Sequence, residues 1–172
     1  RPVDVNATVG STVTLDHEVN GTSPFTYQWQ KADANGTYQD LAGITTKALT
    51  IAAGTLADSG NYRVVTSNFL TSDTSNAAPV TFGYAPVIST SPADVNATVD
   101  STVTLVSEAN GTAPLTYQWQ KADANGTYIN LVGANGASHT LNNVGLSDSG
   151  SYRVVVNNFL TSATANTTHV PA

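Results

Sequence analysis

Apolar and polar residues alternate in short stretches along the first half of the chain. Residues 3–9 read Val-Asp-Val-Asn-Ala-Thr-Val, which is the period of a strand with one buried face. Turn-forming residues separate further predicted strands at 12–19, 25–31, 37–41, 47–51, 60–68 and 74–82. The only helical feature that we predict is a single turn near Leu56-Ala57-Asp58. Short strands at this spacing are typical of an all-β sandwich.

The second half of the chain repeats the first. Residues 27–38 recur letter for letter as residues 117–128, and residues 1–82 align with residues 91–172 without a gap. Self-similarity at a fixed period indicates repeated structural units. We therefore predict two tandem domains, residues 1–84 and residues 85–172, joined end to end by a very short linker.

The second unit carries one stretch that the first unit lacks. Residues 85–90, Ala-Pro-Val-Ile-Ser-Thr, precede the repeat and predict a first edge strand, where proline is tolerated. The first unit begins at the equivalent of Ser91, so we expect its own first edge strand to be missing. Either the sequence is a section of a longer array of units, which we favour, or a strand from a neighbouring molecule fills the gap.

Composition and charge exclude several classes of protein. The chain has no cysteine, and therefore no disulfide, thiolate metal site or cysteine nucleophile. Its net charge is −6 and its six Lys and Arg residues are scattered singly, which disfavours binding to nucleic acid or to an anionic membrane surface. No apolar run is long enough to insert into a bilayer. The low charged fraction of 10% and the abundance of Thr, Ser, Asn and Gly favour an extracellular protein, either secreted or on the cell surface.

Each unit has a tryptophan on its third predicted strand and a tyrosine motif before its sixth. The tryptophans are Trp29 and Trp119, and the Asp-x-Gly-x-Tyr motifs end at Tyr62 and Tyr152. With these motifs the chain resembles, over essentially its whole length, tandem disulfide-free bacterial immunoglobulin-like domains of the I-set type. The resemblance implies two Greek-key β-sandwiches, in which these four side chains belong to the structural core and the tyrosines form tyrosine corners.

The resemblance also locates the two positions that form a disulfide in other family members. They fall on His17 and Val64 in the first unit and on Ser107 and Val154 in the second. A disulfide typically contributes about 2–4 kcal/mol, so we expect packing around the two tryptophans to replace it. His17 is expected to be a buried, hydrogen-bonded core residue.

No combination of residues predicts catalysis. The three histidines occupy different positions in the two units, and none lies in a motif with Ser and Asp or at the spacing of metal ligands. Asp33 and Asn35 lie in an Asp-Ala-Asn-Gly hairpin turn that lacks the further oxygen ligands of a calcium loop. We therefore predict that the protein is not an enzyme, and that it has no catalytic, cofactor-binding or metal-binding residues.

The last hairpin of each unit carries an adjacent Phe and Leu. Exposed apolar pairs of this kind can form contact surfaces. We predict that Phe159 and Leu160 contact the first unit at Leu56 and Ala57. By the same argument, Phe69 and Leu70 would contact a preceding unit.

These features predict a structural function. We expect a non-catalytic spacer, or stalk, in a larger extracellular or cell-surface protein, with neighbouring immunoglobulin-like domains of the same chain or like subunits as partners. One alternative is a subunit of an extracellular filament that is assembled by strand donation. The other is an adhesion module that binds glycan or protein through its loops and aromatic side chains such as Tyr38 and Tyr128.

Overall fold

The computed structural model describes residues 3–171 and divides the chain into two compact units, the first ending at Gly83 and the second beginning at Tyr84. This division lies one residue before the boundary predicted from the sequence. Tyr84 belongs to the second unit because its backbone N–H donates to Thr112 Oγ1 at 2.7 Å. The Thr112 N–H in turn donates to the Tyr84 carbonyl at 3.0 Å.

The first unit contains eight strands in two layers. They are β1 Val5–Thr8, β2 Val13–Leu15, β3 Thr26–Ala32, β4 Tyr38–Asp40, β5 Leu49–Ile51, β6 Gly60–Ser67, β7 Ser72–Thr74 and β8 Ala78–Gly83. One layer has the order β1-β8-β6-β3-β4, with β7 also paired to β6, and the other layer is the pair β2-β5. The β1–β8 pairing is parallel and the other pairings are antiparallel. A 3₁₀ turn at Leu56–Asp58 confirms the one predicted helical feature.

The second unit repeats most of this architecture, adds the strand pair β9 and β11, and has no strand at residues 95–98, which match β1. Its strands are β9 Val87–Thr90, β10 Val103–Val106, β11 Glu108–Asn110, β12 Thr116–Ala122, β13 Tyr128–Asn130, β14 Ser138–Leu141, β15 Gly150–Asn157, β16 Ser162–Thr164 and β17 Thr168–Val170. One layer has the order β13-β12-β15, with β16 and β17 both paired to β15. The other layer contains the antiparallel pairs β10-β14 and β9-β11. The predicted all-β class is confirmed.

The core of each unit lies between its two layers and follows the alternation seen in the sequence. Along β2, Val13 and Leu15 are buried while Thr14 is exposed. The two tryptophans are fully buried, and each indole N–H donates to a backbone carbonyl 17 residues further on. Apolar packing and a hydrogen-bonded indole N–H therefore occupy the part of the core where other family members have a disulfide.

The second predicted strand is wrong at its C-terminal end. Alternation predicts a strand over residues 12–19, but β2 ends at Leu15 and residues 16–20 form no strand. In the second unit the same stretch continues as β10 and β11, because β9 pairs with β11. Alternation specifies which side chains face inward, whereas a strand also needs a partner for its backbone groups.

The last predicted strand, residues 74–82, is two strands in the structure. Val65 pairs with Thr74, and Tyr62 pairs with Ala78, so the register along β6 moves by one residue between β7 and β8. Ser75 lies at this irregularity, where its hydroxyl accepts a hydrogen bond from the Val64 N–H at 3.0 Å. A single extra residue of this kind is a β-bulge.

Candidate interaction sites

The Asp33 side chain stabilises the predicted hairpin turn. The Asp33 carboxylate accepts hydrogen bonds from the backbone N–H groups of Asn35 and Thr37, both at 2.9 Å. Within residues 3–171, no group of three or more His, Asp or Glu side chains is arranged to hold a metal ion. No helix in the same part of the chain is long and apolar enough to cross a membrane.

The two motif tyrosines make matching structural contacts. Tyr62 donates its hydroxyl to the Asp58 carbonyl and Tyr152 donates to the Asp148 carbonyl, both at 2.6 Å. Burial raises the pKa of each phenol to about 12. Lys31 Nζ lies 5.4 Å from the centre of the Tyr62 ring. These side chains therefore anchor one end of the sandwich.

A second tyrosine in each domain lies beneath an arginine. The Arg63 guanidinium is 3.9 Å from the centre of the Tyr38 ring, and its Nε donates to Gln30 Oε1 at 2.7 Å. Arg153 and Tyr128 repeat the stack at the same distance. A cation over an aromatic face contributes about 0.5–1 kcal/mol at an exposed site. One face of each of these tyrosine rings is therefore covered by the protein itself.

The hairpin after β6 displays an apolar pair on a fixed turn. Phe69 is 73% exposed and Leu70 is 71% exposed. The side-chain oxygen of Asn68 accepts from the N–H groups of Leu70 and Thr71, both at 3.0 Å, which holds the tip in place. Phe159 is likewise exposed on the matching hairpin of the second unit. The contacts predicted for these side chains remain predictions.

A groove of about 350 Å³ lies along the open edge of the first unit. Its lining comes from the segment after β2, from Phe25, and from the β6–β7 hairpin with residues including Thr66, Thr71 and Asp73. His17 also lines this groove. The prediction that its side chain is hydrogen-bonded is wrong. Within residues 3–171 its buried Nδ1 atom has no hydrogen-bond partner. Burial lowers the pKa of the imidazole.

The sequence did not reveal the arginine–tyrosine stacks, because each depends on residues distant in the chain, such as Arg63 and Tyr38. It did indicate a gap at the edge where the groove lies, because it holds no first-unit counterpart of residues 85–90. The polar residues His17 and Thr66 in the lining are a further signal, since the repeat has Ser107 and Val156 at these positions.

Each half of the chain matches a family model. Residues 1–78 match the immunoglobulin I-set domain, and residues 85–158 match the immunoglobulin domain. Together with the sheet order, these matches show that the chain consists of two immunoglobulin-like β-sandwich domains. Domains of this family are typically non-catalytic modules of multi-domain proteins.

A bacterial enzyme contains a similar segment. The chain is 32% identical over 121 residues to Endoglucanase C from Cellulomonas fimi. The match covers 70% of this chain and 11% of that protein, so the chain spans only a small part of the relative's length.

Solved structures of tandem immunoglobulin domains share the fold. The extracellular domains 3–5 of Drosophila OTK superpose with a TM-score of 0.75 at 19% identity, over 99% of this chain and 59% of that one. An I-band fragment of titin gives a TM-score of 0.62 at 23% identity, over 99% of this chain and 63% of that one. The four N-terminal immunoglobulin domains of Dscam1 isoform 6.9 give a TM-score of 0.60 at 18% identity, over 98% of this chain and 43% of that one.

Proposed function

We propose that the two domains are a non-catalytic spacer in a larger secreted or cell-surface protein. The observation that carries this proposal is the similarity to Endoglucanase C, which spans 121 residues of this chain but only 11% of that protein. Because 121 residues exceed the length of either unit, the similarity extends into both domains. A related pair of domains inside a much longer protein supports a connecting role.

The name of this relative also suggests what the spacer carries. An endoglucanase acts on a glycan, and we propose that the unseen domain beside the spacer is a glycan-hydrolysing enzyme. The spacer would hold that domain away from a surface and would take no part in the reaction. The low charged fraction of 10% and the abundance of Thr, Ser, Asn and Gly support an extracellular location.

Sedimentation velocity over a wide range of concentrations tests the spacer. The proposal expects a monomer of 17.8 kDa with the high frictional ratio of an elongated particle at every concentration. A frictional ratio typical of a sphere contradicts it. Growth into larger species as the concentration rises also contradicts it, and favours the filament.

A stiff spacer requires contacts that restrain its two domains. We propose, from the sequence, that Phe159 and Leu160 supply them against Leu56 and Ala57. The double variant Phe159→Ala with Leu160→Ala is then expected to lower the melting temperature and the frictional ratio. The matched control changes residues 69 and 70 to Ala. Because their proposed contact is with a preceding unit, neither the melting temperature nor the frictional ratio should change. Equal effects of both double variants would overturn the proposed contact.

Glycan binding by Tyr38 and Tyr128 has less support. Stacking on a sugar needs a free aromatic face, and an arginine leaves at most one face of each ring for it. Titration with soluble cello-oligosaccharides, followed by tyrosine and tryptophan fluorescence, distinguishes adhesion from a passive spacer. Saturable quenching that Tyr38→Ala or Tyr128→Ala abolishes would favour adhesion.

A further inference from the structure

The dipeptide Asn-Gly occurs five times in the chain, at residues 20–21, 35–36, 110–111, 125–126 and 135–136. In this dipeptide the backbone nitrogen of glycine can attack the side-chain amide carbon of asparagine, because glycine has no side chain to hinder the approach. All five asparagines are exposed, so access of water does not distinguish them. Restraint of the backbone does, because the peptide between the two residues must turn before the nitrogen can attack.

Hairpin turns restrain the second and fourth of these dipeptides. The Gly36 N–H donates to the Asp33 carbonyl and the Gly126 N–H donates to the Asp123 carbonyl, both at 3.0 Å. The Asp123 carboxylate also accepts from the Asn125 N–H at 2.9 Å, as Asp33 does in the first domain. A glycine nitrogen that is held in this way must lose its hydrogen bond before it can reach the asparagine side chain. The reaction is therefore slowed at both turns.

Packing restrains the first and third dipeptides. A Cβ atom placed on the glycine would meet Phe25 Cζ at 3.3 Å in the first dipeptide and Pro86 Cα at 3.0 Å in the third. The loops that follow them are also held, because the side-chain amides of Asn68 and Asn158 donate to a carbonyl in each loop at 3.0 and 3.1 Å. Neither glycine can turn without displacing the group that covers it.

The fifth dipeptide lies in the loop between β13 and β14 and lacks these restraints. Within residues 3–171 the Gly136 N–H donates to no backbone carbonyl. A Cβ atom placed on Gly136 would meet only the backbone of Ser138, two residues further along the chain, with the nearest atom at 3.3 Å. The peptide between Asn135 and Gly136 is therefore the least restrained of the five.

The same loop holds the core tryptophan of the second domain on both sides of Asn135. The Gly136 carbonyl accepts the Trp119 indole N–H at 2.9 Å. The Ala134 carbonyl accepts the backbone N–H of Trp119 at 3.0 Å. Because Trp119 is fully buried, a change in the length of the main chain at Asn135 would disturb the contacts of the core.

The first domain makes the same indole contact without asparagine. Thr45 and Thr46 match Asn135 and Gly136, and the Thr46 carbonyl accepts the Trp29 indole N–H at 3.0 Å. The contact therefore does not require an Asn-Gly dipeptide. The reactive pair is confined to the second domain, and the first domain shows which residues can replace it.

We propose that Asn135 is the residue at which this chain deamidates first, and that the reaction weakens the hydrogen bond of Trp119. The Gly136 nitrogen forms a bond to Asn135 Cγ, and the bond from Cγ to Nδ2 breaks. Nδ2 leaves as ammonia together with the proton from the Gly136 nitrogen. Water then opens the succinimide ring at either carbonyl and gives aspartate or isoaspartate. Isoaspartate lengthens the main chain by one carbon atom beside Gly136, and the inference does not depend on a spacer function.

The first test measures which asparagine reacts first. The full chain is kept in mildly alkaline buffer prepared with water that carries a heavy oxygen isotope, so that each hydrolysed succinimide is labelled. Peptide mapping with fragmentation by mass spectrometry then follows each site. Asn135 should react at least about fivefold faster than Asn35 or Asn125, because the glycines that follow those residues must lose a hydrogen bond. Earlier labelling at any of the other four dipeptides overturns the proposal.

Two variants that carry residues of the first domain test the chemistry. Gly136→Thr should slow the reaction of Asn135 at least about tenfold, because a β-branched side chain hinders the approach of the nitrogen. Asn135→Thr should abolish labelling in this loop. The matched control Asn125→Thr should leave the rate at Asn135 unchanged. An unchanged rate at Asn135 in Gly136→Thr overturns the proposed attack.

The second test measures the consequence for the core. Ion exchange separates the modified fraction, because the reaction adds one negative charge. In a Trp29→Phe background Trp119 alone reports urea unfolding, and the isoaspartate form should show an equilibrium constant for unfolding at least about fivefold higher, as expected for one lost hydrogen bond. Asn135→Thr kept for the same time should not change. Equal stability of the isoaspartate and unmodified forms overturns the proposed link to Trp119.

Discussion

The two domains have nearly the same core but different edges. Each buries one tryptophan, whose indole N–H reaches a backbone carbonyl at about the same distance, 3.0 Å in the first domain and 2.9 Å in the second. Each also has a tyrosine hydroxyl 2.6 Å from a carbonyl. Within residues 3–171 no strand covers the edge beside residues 16–20 of the first domain, whereas β9 covers its equivalent in the second.

A second difference concerns how one space in the core is filled. Gly54 is buried, and a Cβ atom added there would lie 2.1 Å from Cζ of Phe82. The matching residues of the repeat are Val144, which is buried, and Ala172, which lies outside the described residues. In the first domain the absence of a side chain at Gly54 therefore makes room for the Phe82 ring.

Removing a core leucine should produce the largest effect. Leu15→Ala and Leu105→Ala should each lower the free energy of unfolding of their own domain by about 2–5 kcal/mol, because both side chains are buried between the layers. Urea unfolding can be assigned by fluorescence in a Trp119→Phe background for the first domain and a Trp29→Phe background for the second. Similar losses of unfolding free energy would show that the two cores also contribute equally to stability. A loss that spreads equally to the other domain would refute their independence.

Filling the space at Gly54 should have the next largest effect. Gly54→Val should lower the free energy of unfolding of the first domain by about 1–3 kcal/mol, because the new side chain collides with the Phe82 ring. Gly54→Val with Phe82→Ala should cost less than the sum of the two single changes, because it removes the ring that the new side chain would meet. Thermal or urea unfolding of the three variants forms a double-mutant cycle. Additive losses would show that the two positions are not coupled.

Removing the hydroxyl of a tyrosine corner should have a smaller effect on the free energy of unfolding, and this effect depends on pH. Tyr62→Phe and Tyr152→Phe should each cost about 1 kcal/mol at neutral pH, because each removes one hydrogen bond. Burial raises the pKa of both phenols from 10.0 to about 12, so folding favours the protonated form. That contribution is fully present below pH 10 and is lost as the pH rises through about 12. Wild-type stability should therefore decline with pH in this range more steeply than that of the double Phe variant, and parallel curves would contradict the assignment.

His17→Ser should have the smallest effect and is specific to the first domain. Burial lowers the pKa of His17 below its ordinary 6.5, although Asp73, Asp16 and Glu18 act in the opposite direction. Folding therefore favours the neutral imidazole, and the stability of the first domain should decline as the pH falls below 6.5. His17→Ser should reduce this dependence by less than about 1 kcal/mol and leave the second domain unchanged. An unchanged pH profile would show that protonation of His17 is not coupled to folding.

Local patterns were sufficient to predict most of the fold. Alternation predicted the inward faces of β2 and β3, and the repeated motif and the Asp-x-Gly-x-Tyr sequence led to the family. Local patterns were insufficient where a strand depends on a distant partner. Residues 16–20 alternate as a strand does but pair with no strand among residues 3–171. Ser75 interrupts a strand that alternation predicts to be continuous.

The sequence by itself determined the class of fold, the repeat and the identity of the core aromatic residues, because burial on one face of a strand is encoded by neighbouring residues. The sequence also predicted that the edge strand at residues 85–90 has no counterpart in the first unit, whereas only the tertiary structure decided how residues 16–20 are arranged and which polar atoms lack partners within residues 3–171. Those properties depend on residues far apart in the chain, such as Arg63, which stacks on Tyr38, or His17, which lines a groove together with the β6–β7 hairpin. Residues 18–20 and 108–110 have nearly the same letters but different structures, because within residues 3–171 only the second segment has a neighbouring strand.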